Sequence, residues 1–189
     1  MHRAIPSPLR TQRLLLRPWA PEDAAALAEV LAANVAHLGT WIPQHVATPL
    51  PPAELAERLA GFAADFAEER AFRFAMLTPD GAQLLGEADL FPRDATGRVS
   101  LAGADRVELG YWLDAAATGQ GLATEATLAL MEVAASLQAM THAEIRCDVA
   151  NAPSAAIPRR LGFQLAAVEG NTQIWRKELS HPAARSATW

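Results

Sequence analysis

The stretch from Glu108 to Glu125, Glu-Leu-Gly-Tyr-Trp-Leu-Asp-Ala-Ala-Ala-Thr-Gly-Gln-Gly-Leu-Ala-Thr-Glu, leaves the chain few options. An alternating apolar run ends at Asp114, a small-residue loop carries Gly119 and Gly121, and from Leu122 the apolar positions switch to helical spacing. This is a strand, a tight turn and a helix. Glycine lets the backbone approach a ligand closely, and the first turn of a helix presents unsatisfied N–H groups and the positive end of its dipole. A phosphate group is the natural occupant. Gly121 is followed by Leu122 rather than by Lys and Ser or Thr, which removes a P-loop from consideration. Thr124 stands where a dinucleotide fingerprint needs its third glycine, and no well-placed acid follows. On the turn alone, an ordinary strand-to-helix loop stays open as the alternative.

A chain of 189 residues, 51% hydrophobic and 20% charged, suits one globular domain over 1–189, with 1–10 and 180–189 read as loose ends. Its formal net charge of -5 argues against nucleic acid as the main partner and is compatible with a cationic or amine substrate. Cys147 is the only cysteine, so an intramolecular disulfide and a cysteine-based metal cluster are excluded. Histidines at 2, 37, 45, 142 and 181 lack ligand spacing, and no metal is expected. With no apolar run resembling a signal peptide and none near the roughly 18 residues of a membrane span, a soluble, cytoplasmic protein is expected, without membrane association.

Periodicity orders the rest. Thr11 to Trp19 reads as a strand, stopped by Pro18 and Pro21, and Pro21-Glu22-Asp23 opens a first helix through about Ala33. Asn34 to Pro52 reads as an irregular loop in which Trp41 either lines a substrate cleft or packs the loop down. Leu55, Leu59, Phe62 and Phe66 mark an amphipathic helix over Pro52 to Glu69. Ala71 to Leu77 and Gln83 to Phe91 form a hairpin around Thr78-Pro79-Asp80-Gly81, and Pro92 to Asp105 reads as an exposed connection. The central strand, Arg106 to Asp114, precedes the turn. After its helix, which fades near Met140, come a strand over Ala143 to Ala150 and a helix capped by Asn151 and ended by Gly162. Pro158 interrupts that helix and frees a backbone carbonyl near Ser154. Phe163 to Val168 and Thr172 to Leu179 close the chain as strands.

In this order the motifs resemble the GNAT superfamily of acyl-CoA-dependent N-acetyltransferases, above all its RimJ and RimL branch. The resemblance rests on Leu14-Leu15-Leu16-Arg17-Pro18-Trp19 with Glu22-Asp23, on Glu108 to Leu113, on Gly119 to Ala126, and on Asn151-Ala152-Pro153-Ser154 with Ile157 to Phe163. It implies an α/β (α+β) fold: a mixed, mostly antiparallel twisted sheet of about six to seven strands, splayed at its centre and flanked by about four helices. It also implies acetyl-CoA as cosubstrate, with the amides of Gly119, Gly121, Leu122, Ala123 and Thr124 on the pyrophosphate. Leu109, Tyr111 and Leu113 would lie along the pantetheine arm, and Asn151 and Ser154 would approach from the far side of the gap. The acceptor would be a small-molecule amine or a protein N-terminus, and a homodimer follows by analogy. One departure stands out: the loop position usually held by Gln or Arg is Thr118.

Acetyl transfer to an amine needs a base, a donor to the developing oxyanion and a group for the leaving thiolate. Alternation puts Glu108 on the same strand face as Trp112, where a partly dry carboxylate would have a raised pKa, so Glu108 is the first candidate base. A solvated or salt-bridged carboxylate is the competing reading. Glu87 and Asp89 on the hairpin strand are its substitutes, and Trp41, Glu87 and Trp112 are candidate acceptor contacts. Many members of the family use a tyrosine on the helix after Asn151 for the thiolate; here Tyr111 is the only tyrosine, which leaves Ser154. Cys147, alternating with Ile145 and Val149, reads as buried and inert. A non-catalytic acyl-CoA-binding domain is the alternative to an enzyme.

Overall fold

The computed structural model describes residues 5–137 and 139–181. Strands β1 (Leu9–Arg10) and β2 (Leu15–Pro18) lead to α1 (Ala24–Ala33), the one-turn helices α2 (Val35–Leu38) and α3 (Gln44–Ala47), and the long α4 (Pro52–Ala67). Then come β3 (Phe72–Leu77), β4 (Leu84–Asp94), β5 (Gly97–Arg98) and β6 (Arg106–Leu113). Helix α5 (Leu122–Ser136), β7 (His142–Asp148), α6 (Ala152–Arg160), β8 (Gln164–Glu169) and β9 (Thr172–Glu178) complete the chain. The sheet runs β1-β2-β3-β4-β6-β7-β9-β8, with β5 paired to β4. Every neighbouring pair is antiparallel except β6 and β7, which are parallel because α5 crosses between them.

Alternation divides the core between the two sheet faces. Phe72, Phe74 and Met76 of β3, Leu109 of β6 and Ile145 of β7 pack with Ala126, Leu130 and Ala134 of α5. Ala75 and Leu77 of β3 and Trp112 of β6 pack instead with Leu27 and Leu31 of α1 and Leu55 and Leu59 of α4. Phe66 of α4 meets Phe72 and Phe74 edge to face at 5.0 and 5.4 Å. Gly86 of β4 stands opposite Leu113 of β6. A Cβ there would lie 2.1 Å from the Trp112 carbonyl oxygen, so no side chain fits.

Four expectations change. The sheet has nine strands rather than six or seven, because Leu9–Arg10 pairs with Leu15–Leu16 and Gly97–Arg98 pairs with Arg93–Asp94. The supposed N-terminal arm therefore contributes a strand, with Ile5 buried against the core, and residues 1–4 lie outside the described residues. Pro92 to Asp105 is not simply exposed: β4 continues to Asp94 and Leu101 is buried. The loop from Asn34 to Pro52 folds into α2 and α3. In each case the apolar signal is too short for periodicity to register. Of the expected C-terminal loose end, residues 182–189 lie outside the described residues.

Leu130 is 1% exposed at the centre of α5. Leu130→Ala should cost roughly 2–5 kcal/mol, read in urea as a lower midpoint with an unchanged slope. A loss below about 1 kcal/mol would mean that α5 does not close the main core.

Candidate active site

The parallel pairing of β6 and β7 runs from Arg106 opposite His142 to Leu109 opposite Ile145, and then stops. Both strands continue, to Leu113 and Asp148, so they part. The cleft that opens there has a volume of about 650 Å³ and continues to the start of α5. Its walls include Tyr111 and Leu113 of β6, Gly119, Gly121, Leu122, Ala123 and Thr124 of the turn, and Asn151 and Ser154 of α6. Trp41, Glu87, Glu108 and Trp112 line it as well. Of the residues singled out from sequence, only Leu109 is elsewhere: it is 1% exposed and packs in the core.

At one end is the turn. Gly119 and Gly121 have φ of 73° and 79°, the left-handed region that glycine adopts without strain. Gly121 accepts the first helical bond from Glu125 N at 3.0 Å, and the amides of Leu122, Ala123 and Thr124 head α5 with no carbonyl before them to bond. Neighbouring side chains turn away from this end: Thr118 Oγ1 donates to the Ala115 carbonyl at 2.8 Å and Gln120 Nε2 to that of Ala116 at 3.0 Å. The loop is tied down from far off in sequence. Glu125 accepts from Thr11 Oγ1 at 2.6 Å and Arg13 Nε at 2.7 Å, while Arg13 Nη1 reaches the Gln120 carbonyl at 2.8 Å. Although burial opposes it, these bonds from Thr11 and Arg13 hold the Glu125 carboxyl below its usual range. Arg160, at the end of α6, also lines the cleft and reaches Thr124 Oγ1 at 3.4 Å.

The middle is built around Ser154. Asn151 Oδ1 caps α6 by accepting from Ser154 N at 3.0 Å, as the sequence predicts. Pro158 cannot donate to the Ser154 carbonyl. Tyr111 Oη takes that place, donating to the carbonyl at 3.1 Å and lying 3.2 Å from Ser154 Oγ. Burial pushes the Tyr111 phenol up, so it remains a neutral hydroxyl. Cys147 is buried beside it, and burial pushes its thiol up too, which suits an inert cysteine.

The other end carries charge. Glu108 is buried, and it takes the competing reading from sequence, a salt-bridged carboxylate. Its oxygens accept from Arg93 Nη1 at 2.7 Å and Arg98 Nη2 at 3.0 Å, with Arg146 Nε at 3.5 Å. Both oxygens of this carboxylate are thus engaged by guanidinium groups, which fix its position. Trp112 Nε1 donates instead to Glu87 at 3.3 Å, and Trp19 Nε1 donates to the same carboxyl at 2.7 Å. Burial pushes Glu87 up, opposed chiefly by Arg73 at 3.6 Å. Arg73, Arg98 and Arg146 are not among the sequence candidates, and Trp19 enters there only within the Leu14 to Trp19 motif. Each lies on a strand or edge far from the loop, and only the pairing register brings them together. Among the described residues no group of three or more potential metal ligands is found. No described helix is long and apolar enough to cross a membrane.

Comparison with known proteins agrees with this geometry. YdaF of Bacillus subtilis (strain 168), provisionally named a ribosomal N-acetyltransferase, is 28% identical over 156 residues, covering 80% of this chain and 78% of its own. The structure is similar to RimL, a ribosomal L7/L12 alpha-N-protein acetyltransferase solved with coenzyme A (TM-score 0.73, 21% identity, 94% of this chain and 98% of that one). It is similar as well to the microcin C7 self-immunity acetyltransferase MccE, solved with acetyl-CoA and AMP (TM-score 0.74, 18% identity, 93% and 98%). RimJ of Mycobacterium smegmatis superposes with a TM-score of 0.72 at 22% identity, over 87% and 81% of the two chains. At these identities the solved structures establish the shared fold. The family described as the acetyltransferase (GNAT) domain matches residues 13–164, most of the chain, so the chain belongs to the GNAT acetyltransferase family.

Proposed function

We propose that the protein transfers an acetyl group from acetyl-CoA to a primary amine by direct attack, with a protein N-terminus as the favoured acceptor. The observation that carries this is one continuous cleft running from the head of α5, through the parting of β6 and β7, to a carboxyl-lined end. A diphosphate, an amide-bearing arm and a thioester need those three environments in that order. The likeness to RimL, an alpha-N-protein acetyltransferase, supports the N-terminal acceptor, and a small-molecule amine is the second candidate. Self-association into a homodimer belongs to the same reading by family analogy.

In this reading the amides of Gly119, Gly121, Leu122, Ala123 and Thr124 hold the diphosphate. Thr118 gives up the side-chain contact its position usually offers, and Arg160 supplies a cation in its place. Tyr111 and Leu113 flank the pantetheine arm, with Leu109 supporting them from the core. Asn151 fixes the start of α6 and thereby aims Ser154, whose hydroxyl hydrogen-bonds the departing thiolate while its proton arrives through water. Trp41 and Trp112 bound the acceptor end. Glu108 anchors Arg93, Arg98 and Arg146 around the acceptor's path and is a positioning residue.

Gly121→Val puts a β-branched residue at a φ of 79° and should weaken coenzyme A binding at least about tenfold by calorimetry. Unchanged affinity would remove the turn from the site. Ser154→Ala should lower kcat on the order of 100-fold with coenzyme A affinity retained, measured by thiol release against a panel of amines and N-terminal peptides. Binding of coenzyme A by the wild type without turnover on any acceptor would favour a non-catalytic acyl-CoA-binding domain.

A further inference from the structure

Three carboxyl groups line the acceptor end of the cleft, and they differ in how fully they are engaged. Glu108 is held by Arg93, Arg98 and Arg146, and Glu87 by the indoles of Trp19 and Trp112 with Arg73 at 3.6 Å. Asp89 is 6% exposed, its nearest cation is Arg73 at 4.0 Å, and its Oδ1 has no hydrogen-bond partner among the described residues. A buried carboxyl left this open needs a reason. Directly opposite it in the β4–β6 register stands Gly110. A Cβ on Gly110 would lie 3.1 Å from Asp89 Oδ2 and 3.6 Å from the Phe91 ring. The missing side chain leaves room above the carboxyl. Asp89, Gly110 and Phe91 all line the cleft, and Gly110 directly precedes Tyr111, which bonds Ser154.

We infer that Asp89 is the catalytic base that takes the proton from the acceptor's ammonium group, and that Gly110 is the opening through which the amine reaches it. This rests on the acetyl-transfer reading above. Asp89 accepts one N–H proton, leaving a neutral amine whose lone pair forms the new C–N bond at the thioester carbonyl carbon; the C–S bond breaks when the resulting tetrahedral adduct collapses. The second amine proton leaves as the tetrahedral adduct collapses and, through water, ends on the thiolate; the proton on Asp89 returns to solvent. No oxidant or further reactant is involved.

The surroundings favour such a role. Burial pushes the Asp89 carboxyl well up from its ordinary value, followed by the adjacent charge of Glu87, while Arg73 and Arg98 oppose. The charged groups facing it are Glu87 on its own strand, Arg73 from β3, Arg98 from β5 and Glu108 from β6, with Arg58 of α4 beyond Glu87. A base is most effective when its pKa lies near the working pH. The raised carboxyl also has a stability consequence. A carboxyl whose folded pKa lies above its unfolded one contributes stability below the unfolded value, and that stability is lost as pH rises through the folded value. Asp89→Asn removes this loss, so the variant should melt no lower than wild type at pH 8.

The test uses the full chain with acetyl-CoA and whichever amine or N-terminal peptide the wild type turns over best. Asp89→Asn should lower kcat/KM by about 10²- to 10⁴-fold at pH 7, keep coenzyme A affinity within about twofold, and abolish the limb of kcat/KM that rises with pH through Asp89. Gly110→Ala should raise the acceptor KM at least about tenfold and leave coenzyme A binding intact, which tests the opening even if Asp89→Asn folds poorly. The inference is overturned if Asp89→Asn keeps the rate and the limb, if Glu108→Gln removes the limb instead, or if Gly110→Ala leaves the acceptor KM unchanged. A wild type that binds coenzyme A but acetylates none of the acceptors sinks the acetyl-transfer reading itself, and this inference with it.

Discussion

The parting of β6 and β7 is the constraint on which the rest of the structure depends. Two parallel strands that stop pairing while both run on leave backbone amides without partners, and a folded chain tolerates this only when something else holds the strands. Here each strand is held from its outer side: β6 by β4 from Gly86 to Arg93, and β7 by β9 along its whole length. Across the wedge, Tyr111 bonds the carbonyl that Pro158 leaves unmatched in α6. A proline that would weaken an ordinary helix therefore joins α6 to β6 and keeps the two walls of the cleft in register. The free strand edge resulting from this is what an extended, amide-bearing ligand can use.

Charge around the acceptor end follows from the same layout. Arg146, on β7 beyond the last paired residue, approaches both Glu108 at 3.5 Å and Glu144 at 3.2 Å. Arg176 of β9 also bonds Glu144, at 2.7 Å. Such clusters do little for net stability, because desolvation offsets most of the Coulomb gain, yet removing one member leaves a buried charge uncompensated. They act as fixed geometry. Two indole N–H groups do for Glu87 what guanidinium groups do for Glu108, whereas Asp89 has Arg73 only at 4.0 Å and its Oδ1 lacks a hydrogen-bond partner among the described residues.

Much of this was legible in the sequence wherever the signal is local. The turn at Gly119 and Gly121, the cap at Asn151 and the free carbonyl near Ser154 all follow from backbone sterics, and the structure has them. Trp41, Trp112, Glu87, Tyr111 and Ser154 line one cleft. The failures have a common form. Strands β1 and β5 are two residues each, too short for an alternation to show, and they exist because longer strands offer them an edge. For Glu108, alternation offers Trp112 on the same face and leaves a salt-bridged carboxylate as the competing reading; the partners it has come from residues 93, 98 and 146, which no local pattern names.

The sequence by itself determined the order of elements, the chemistry of the turn and the two-sided core, since these depend on φ/ψ sterics and on side-chain period, which are properties of adjacent residues. Only the tertiary structure decided which carboxyl keeps an oxygen without a hydrogen-bond partner among the described residues. Coulomb and hydrogen-bond energies depend on separation in space, and strand register, not spacing along the chain, sets Arg73 beside Glu87, three arginines around Glu108 and a glycine opposite Asp89.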